Sequence, residues 1–249
     1  MISPAFPSVL RRRLLSPRLR RIRLVVCDVD GVLTYGGLHY DEDGKVVKRF
    51  DVRDGLAVRM LQQAGITLAL LSGGRGGASE QRALHLDIHH CRVGVSNKRA
   101  GLEELQQELA MGREQTAFLG DDLNDLPVRA ATGLLITPAD AAPGLRRQAD
   151  WILRRRGGDG ALREFSDALL ASQGWMEGFE NLGWAPPTES PGRPGTPPAR
   201  QASASLRPLL QPVAPAPALP FAQGRGSQLG AGQPALRPLA GGKRGGEGY

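Results

Sequence analysis

The sequence has only two cysteines, Cys27 and Cys91, each beside an apolar, strand-like stretch. That excludes a disulfide scaffold; a single bridge stays open, but a thiol in such a place more simply behaves as a small hydrophobe in a reducing, cytoplasmic setting. No unbroken run of about 18 apolar residues occurs, so no transmembrane helix is expected. Residues 1–10 contain two prolines and lack the apolar core of a signal peptide. Acid is missing from residues 1–23, which carry seven arginines. This stretch reads as a disordered basic arm, with an organelle transit peptide as the alternative. The four histidines lack metal-ligand spacing, and His89 and His90 would point to opposite faces of a strand. His39, His85, His89 and His90 are therefore expected at the surface or in packing.

Taken whole, a net charge of +7 and a pI near 10.1 would suggest a nucleic-acid partner. The distribution argues against it. Residues 176–249 hold seven Lys/Arg and four acids, which leaves 18 basic and 21 acidic side chains in residues 24–175, a net of −3. The basicity sits in the two ends. Residues 176–249 also hold 13 of the 19 prolines and 13 of the 33 glycines, without hydrophobic periodicity. Such a segment cannot bury enough apolar surface to offset its ordering entropy, so it is expected to be a disordered tail.

Residues 24–175 are long enough for one buried core, and their pattern alternates strand and helix. Strands are expected at 24–27, 66–71, 88–90, 116–119, 134–136 and 151–153. Helices are expected at 54–63 (capped by Asp54), 78–84, 98–109, 123–130 and 160–170. Residues 38–50 read as a hairpin around Asp43-Gly44. Strands separated by helices of this length imply an α/β fold with a Rossmann-like parallel sheet wrapped by helices. In such a sheet, ligands bind outside the carboxyl ends of the strands.

Three of the expected strands end there in polar residues. They are Asp28-Val29-Asp30-Gly31, Ser72-Gly73-Gly74 and Gly120-Asp121-Asp122-Leu123-Asn124-Asp125, with Lys98 at a helix start between the last two. Carboxylates gathered so closely repel one another unless a divalent cation joins them, and hard oxygen ligands suit Mg²⁺. A carboxylate that attacks phosphorus forms an aspartyl-phosphate. Lys98 and Ser72 could then donate to phosphoryl oxygens, while Gly31 and Gly73 allow close backbone approach.

This ordered set resembles the haloacid-dehalogenase superfamily, with its Asp-x-Asp, Ser/Thr, Lys and acidic-cluster motifs. The likeness extends to the cap-less branch that contains the 3-deoxy-D-manno-octulosonate 8-phosphate (KDO 8-phosphate) phosphatases. It rests on residues 28–33 (Asp-Val-Asp-Gly-Val-Leu), 50–55 (Phe-Asp-Val-Arg-Asp-Gly), 94–98 (Gly-Val-Ser-Asn-Lys), 120–127 (Gly-Asp-Asp-Leu-Asn-Asp-Leu-Pro) and 157–164 (Gly-Gly-Asp-Gly-Ala-Leu-Arg-Glu). It spans residues 24–175 and neither end.

The resemblance implies a magnesium-dependent phosphatase without a cap domain, acting on a sugar-acid phosphate. A related phosphatase for another sugar phosphate, such as a sialic acid 9-phosphate, is the alternative. A polyanion-binding protein that works through its basic arms is the alternative of another class. By position, Asp28 is implied as nucleophile and metal ligand. Asp30 is implied as acid/base, also meeting the substrate and giving the metal its backbone carbonyl. Asp121 is the further metal ligand, with Asp122 and Asp125 as a supporting acid cluster. Ser72, Gly73 and Lys98 are implied as phosphate binders. Asp51, Val52, Arg53, Asp54, Gly55, Arg59, Arg75, Arg82 and Arg163 are implied around the sugar acid. Read from the residues alone, Asp54 would be a helix cap and Arg59 a solvated helix residue. Such phosphatases are typically homotetramers in which the hairpin and the C-terminal Gly-rich segment complete a neighbour's site. One departure stands out: the usual arginine two places after Ser72 is Gly74 here, with Arg75 one place later.

Overall fold

The structure, a computed structural model, describes residues 8–74 and 77–184. In chain order the first elements are α1 (Ser8–Leu19), β1 (Leu24–Cys27), β2 (His39–Tyr40), β3 (Val46–Val47) and α2 (Val52–Gln63). Then come β4 (Thr67–Leu71), α3 (Gly77–His85), β5 (His90–Arg92), α4 (Lys98–Glu108) and β6 (Thr116–Leu119). A 3-10 helix (Leu123–Ala130) leads to β7 (Leu134–Thr137), α5 (Pro143–Gln148), β8 (Trp151–Ile152), α6 (Ala161–Ser172) and α7 (Met176–Leu182).

Six strands form one parallel sheet in the order β5-β4-β1-β6-β7-β8. All four residues of β1, β6 and β7 are buried, because helices cover both faces. Alternate residues therefore enter two different cores. Val25, Cys27, Leu68, Leu70, Ala117 and Leu119 pack with Leu61 of α2 and Phe165 of α6. Leu24, Val26, Ala69, Leu71 and Phe118 pack with Leu102 and Leu105 of α4. From β1 the chain runs outward to β4 and β5, then returns to β6 on the other side of β1. That reversal leaves a crevice at the carboxyl ends of β1 and β6.

The α/β architecture and the hairpin are as expected. The hairpin forms from β2 and β3, with Gly44 at φ +76° and Asp41 Oδ1 accepting from the Asp43 and Lys45 amides at 3.1 and 2.7 Å. Both thiols are free. Among the described residues, no helix is long and apolar enough to cross a membrane.

The chain ends depart from expectation. Residues 8–19, expected within a disordered arm, are helical, and Leu15, Leu19 and Ile22 are buried against the core. Arg18 also donates to Asp150 at 3.0 Å. Leu15 and Leu19, four apart, share one face of α1, and Ile22 follows the turn after it, and their burial offsets the ordering entropy that the arginines alone could not. At the other end α7 extends the fold, with Trp175, Met176 and Phe179 packed on the core. The rest of the expected tail, residues 185–249, and residues 1–7 lie outside the described residues.

Smaller departures have local causes. The strand expected at 88–90 lies at His90–Arg92, where it pairs with the carboxyl half of β4. The helix expected at 123–130 is 3-10, and it contains Pro127, which has no amide to donate. The cap of α2 is Asp51, whose carboxylate accepts from the Arg53 amide at 2.7 Å. Asp54 caps a different helix: it lies inside α2, and its Oδ1 accepts from the Arg163 amide of α6 at 2.9 Å.

Candidate active site

Three strand ends deliver the polar groups. Asp28 follows β1, its amide donating to Leu119 O at 2.9 Å, and its Oδ1 accepts from the Val29 amide at 2.7 Å. Ser72 follows β4 and its Oγ accepts from the Gly74 amide at 3.3 Å. Asp121 follows β6 and Gly120. Asn97 caps α4 through the Ala100 amide at 3.1 Å, which sets Lys98 on the first turn. Lys98 is only 2 % exposed, so its ammonium must find partners inside the protein. It donates to Asp28 Oδ2 and to Asp125 Oδ1, the latter at 2.6 Å. The remaining oxygen of Asp125 accepts from the Asp121 amide at 2.9 Å. Asp122 is exposed and caps the 3-10 helix, accepting from the Leu123 amide at 2.7 Å.

Asp28, Ser72, Asp121 and Asp122 line one cavity of about 490 Å³ with Asp30, Gly31, Gly36, Gly73 and Asn124. Gly31 has φ +82°, and a Cβ there would overlap the Asp121 carboxylate. The turn must therefore be glycine for Asp121 to stand beside Asp28. Asp30 Oδ2 accepts from Lys48 Nζ at 2.8 Å, and Lys48 also donates to Ser79 of α3 at 3.3 Å.

The electrostatics are those of too much negative charge in too little water. Burial, then the nearby Asp125, pushes Asp28 up to about 6, and Lys98 opposes the rise. Burial, then Asp28 and Asp125, pushes Asp121 up to about 7. Burial alone would depress the Lys98 ammonium, but Asp28 and Asp125 hold it above its ordinary value. Asp28, Asp121 and Asp125 each offer an oxygen within 4.8 Å of the others. An all-oxygen, excess-anionic donor set of this kind fits a hard divalent cation. Lys98 and the Asp121 amide engage both Asp125 oxygens, and the Val29 amide and Lys98 engage both Asp28 oxygens, so a cation held here would share its donors with those hydrogen bonds.

Of the remaining expected residues, none that the structure describes lines this cavity. Arg53 bridges Asp51 at 2.7 Å and Asp159 at 2.5 Å, and both acids raise its pKa. Arg163 Nε meets Asp167 at 2.6 Å. Both arginines line a second cleft of about 720 Å³, with Trp151, Arg154, Arg155 and Arg156. Arg59 pairs with Asp87 and donates to His85 O at 2.9 Å, away from either cavity. Arg82 lies over the Phe50 ring, 5.6 Å from its centroid, and donates to Asp51 O at 3.3 Å. Gly55 makes room for it, since a Cβ there would come 2.6 Å from Arg82 Nη2. Val52 is 80 % exposed, and Asp54 is buried at its α6 amide. Arg75 lies outside the described residues. Lys48 is the residue the sequence did not single out. In its Lys-Arg-Phe context it reads as an ordinary hairpin charge, and no spacing signals its burial.

Residues 85–165 match the family described as haloacid dehalogenase-like hydrolase. The chain is 41% identical over 163 residues to a KDO 8-phosphate phosphatase of Haemophilus influenzae, covering 66% of this chain and 91% of that one. A solved KDO 8-phosphate phosphatase from Yersinia pestis shares 41% identity at a TM-score of 0.65, covering 66% of this chain and 89% of that chain. One from Moraxella catarrhalis, solved with magnesium ion, phosphate ion and KDO, shares 32% identity at a TM-score of 0.66, covering 68% and 97%. Likeness on that scale reaches across nearly the whole of these relatives. The chain belongs to the KDO 8-phosphate phosphatase family of haloacid-dehalogenase-like hydrolases, and by that membership it is a phosphatase.

Proposed function

We propose that the protein hydrolyses KDO 8-phosphate, with Mg²⁺ as cofactor and Asp28 as nucleophile. The observation that carries this reading is Lys98, buried and shared between Asp28 and Asp125 at the mouth of the sheet crevice. In this reading Lys98 holds Asp28 with one oxygen aimed by the Val29 amide, and it neutralises phosphoryl charge together with the Ser72 hydroxyl and Gly73 backbone. An Asp28 oxygen bonds to phosphorus as the ester P–O bond breaks. The departing sugar oxygen takes a proton from Asp30. Asp30 then takes a proton from water, whose oxygen attacks the phosphorus of the aspartyl-phosphate. Inorganic phosphate leaves and the Asp28 carboxylate is restored. A divalent cation held by Asp28, Asp121 and the Asp30 carbonyl would supply charge neutralisation and alignment of the phosphoryl group.

The sugar-acid end is assigned to Asp51, Val52, Arg53, Asp54, Gly55, Arg59, Arg75, Arg82 and Arg163, acting in a homotetramer. Two features support an assembly. The hairpin and its exit leave Leu38, Tyr40, Val47 and Val52 exposed, and Arg53 and Arg163 line a cleft separate from the Asp28 cavity. Aspartates at Tyr40 and Val47 should convert a tetramer into smaller species in sedimentation and raise KM. The free thiols suit a reducing cytoplasm. The fragment that carries the domain is assigned to residues 8–184 rather than 24–175, since α1 and α7 pack on the core.

The decisive experiment is a screen of sugar-acid phosphates with the purified protein and Mg²⁺. Highest kcat/KM on KDO 8-phosphate would support the reading. Highest kcat/KM on a sialic acid 9-phosphate would replace the substrate and leave the phosphatase intact.

A further inference from the structure

Lysine is among the residues least often buried, yet the Lys48 side chain is 3 % exposed. It leaves the hairpin just after β3 and turns inward, so that one ammonium meets two elements far apart in sequence. It donates to Asp30 Oδ2 at 2.8 Å and to Ser79 Oγ of α3 at 3.3 Å, and Ser79 is itself 2 % exposed. Room for this arrangement comes from Gly74. A Cβ there would lie 2.9 Å from Asp30 Oδ2 and 3.8 Å from Lys48 Nζ. Among the described residues, Asp30 has one other side-chain hydrogen bond, from the Thr34 hydroxyl at 3.5 Å to Oδ1. Without Lys48 the carboxylate, whose side chain is 29 % exposed, would be free to swing toward solvent.

We propose that Lys48 is a positioning residue for Asp30: by engaging Oδ2 it fixes the carboxyl plane and leaves Oδ1 to serve the leaving oxygen of the substrate. The inference rests on the assignment of Asp30 as acid/base. It adds that the hairpin takes part in the chemistry through one ammonium. Lys48 makes no contact with the reacting phosphorus and carries no proton to it.

The geometry separates this role from a structural one through the leaving group. A sugar alkoxide needs a proton to depart, whereas p-nitrophenolate departs without one. The test is rapid-mixing release of the leaving group in the first turnover, which isolates transfer to Asp28 from the later hydrolysis. Wild type, Lys48→Met, Lys48→Arg, Ser79→Ala and Asp30→Asn are compared on KDO 8-phosphate and p-nitrophenyl phosphate, with circular dichroism to check folding. Asp30→Asn should lose roughly 10²-fold or more on the sugar ester and far less on the aryl ester. Lys48→Met should follow the same pattern at about tenfold, Lys48→Arg should recover most of it, and Ser79→Ala should show a smaller loss in the same sense. If Asp30→Asn shows no leaving-group dependence, the acid/base assignment fails and this inference with it. If Asp30→Asn shows it while folded Lys48→Met and Ser79→Ala lose equally on both esters, or not at all, only the Lys48 role is overturned.

Discussion

The Asp28 cavity and the arginine cleft beside α6 are both crowded with charge, but they hold it in opposite ways. At the cavity the ammonium of Lys98 is shared by the buried Asp28 and Asp125, and the half-buried Asp121 adds a third carboxylate close by. In the cleft the arginines have their own acids: Arg53 has Asp51 and Asp159, Arg154 has Glu164, and Arg163 has Asp167. Most of those cleft pairs are open to water. An exposed pair is worth about 0–1 kcal/mol, so a cleft arginine can trade its acid for a ligand's carboxylate at little loss. The cavity has no such freedom, because its charge is desolvated and out of balance. Chemistry is placed where charge is unsatisfied, and selectivity where charge is exchangeable.

That contrast can be broken most directly at the nucleophile. Asp28→Asn should lower kcat by roughly 10³-fold or more on every phosphomonoester. Its Tm should hold or rise, because one of the crowded carboxylates is gone. A collapse of the fold would show that the imbalance is structural. Chelation comes next: excess EDTA should abolish turnover, and Mg²⁺ should restore it and raise Tm by several degrees. Asp121→Asn should lose that rise in Tm. A smaller effect is expected in the cleft. Arg53→Ala or Arg163→Ala should raise KM for a sugar-acid phosphate about tenfold, with far less change on p-nitrophenyl phosphate. Equal losses on both substrates would mean the two regions act as one.

The smallest effect is expected at Asp54. Burial, against the opposing Arg163 amide, pushes its carboxyl up to about 7 from an ordinary 3.8. A group raised in this way contributes stability that is complete below the lower value and is lost as pH rises through the upper one. Stability should therefore decline between about pH 4 and 7, a window that Asp54 shares with Asp28 and Asp121, and Asp54→Asn should make that part of the Tm curve shallower. An identical slope in both proteins would assign it to other groups.

What could be read from the sequence follows the same division. The carboxylates at strand ends were legible because an apolar run that stops at Asp28 or at Gly120-Asp121 marks both a buried strand and its edge. Lys98 was legible as a helix start. The cleft was not, because arginines on α2 and α6 carry no periodic signal that says which surface they share. Asp54 was read as the cap of α2, but Asp51 holds that place, and only the fold shows Asp54 accepting from the Arg163 amide of α6. The α1 helix had a signal, the spacing of Leu15 and Leu19, that the run of arginines and Pro17 obscured. Lys48 had none, since burial of a hairpin lysine depends on Asp30 and Ser79 arriving from elsewhere.

The glycines at 31 and 157 set a tolerance between the two regions. Gly31 borders the Asp28 cavity, while Gly157 lies between Arg156 and Asp159, both of which border the cleft. A Cβ on Gly157 would sit 1.9 Å from the Gly31 carbonyl oxygen, and one on Gly31 would sit 1.9 Å from Asp121 Oδ2. Backbone, backbone and carboxylate are thus stacked with less than a methyl group of slack. The partition between the two regions is a shim of fixed gauge: a single carbon added at either glycine would have to be absorbed as a displacement of the loop that carries Asp28 or of the loop that carries the arginines.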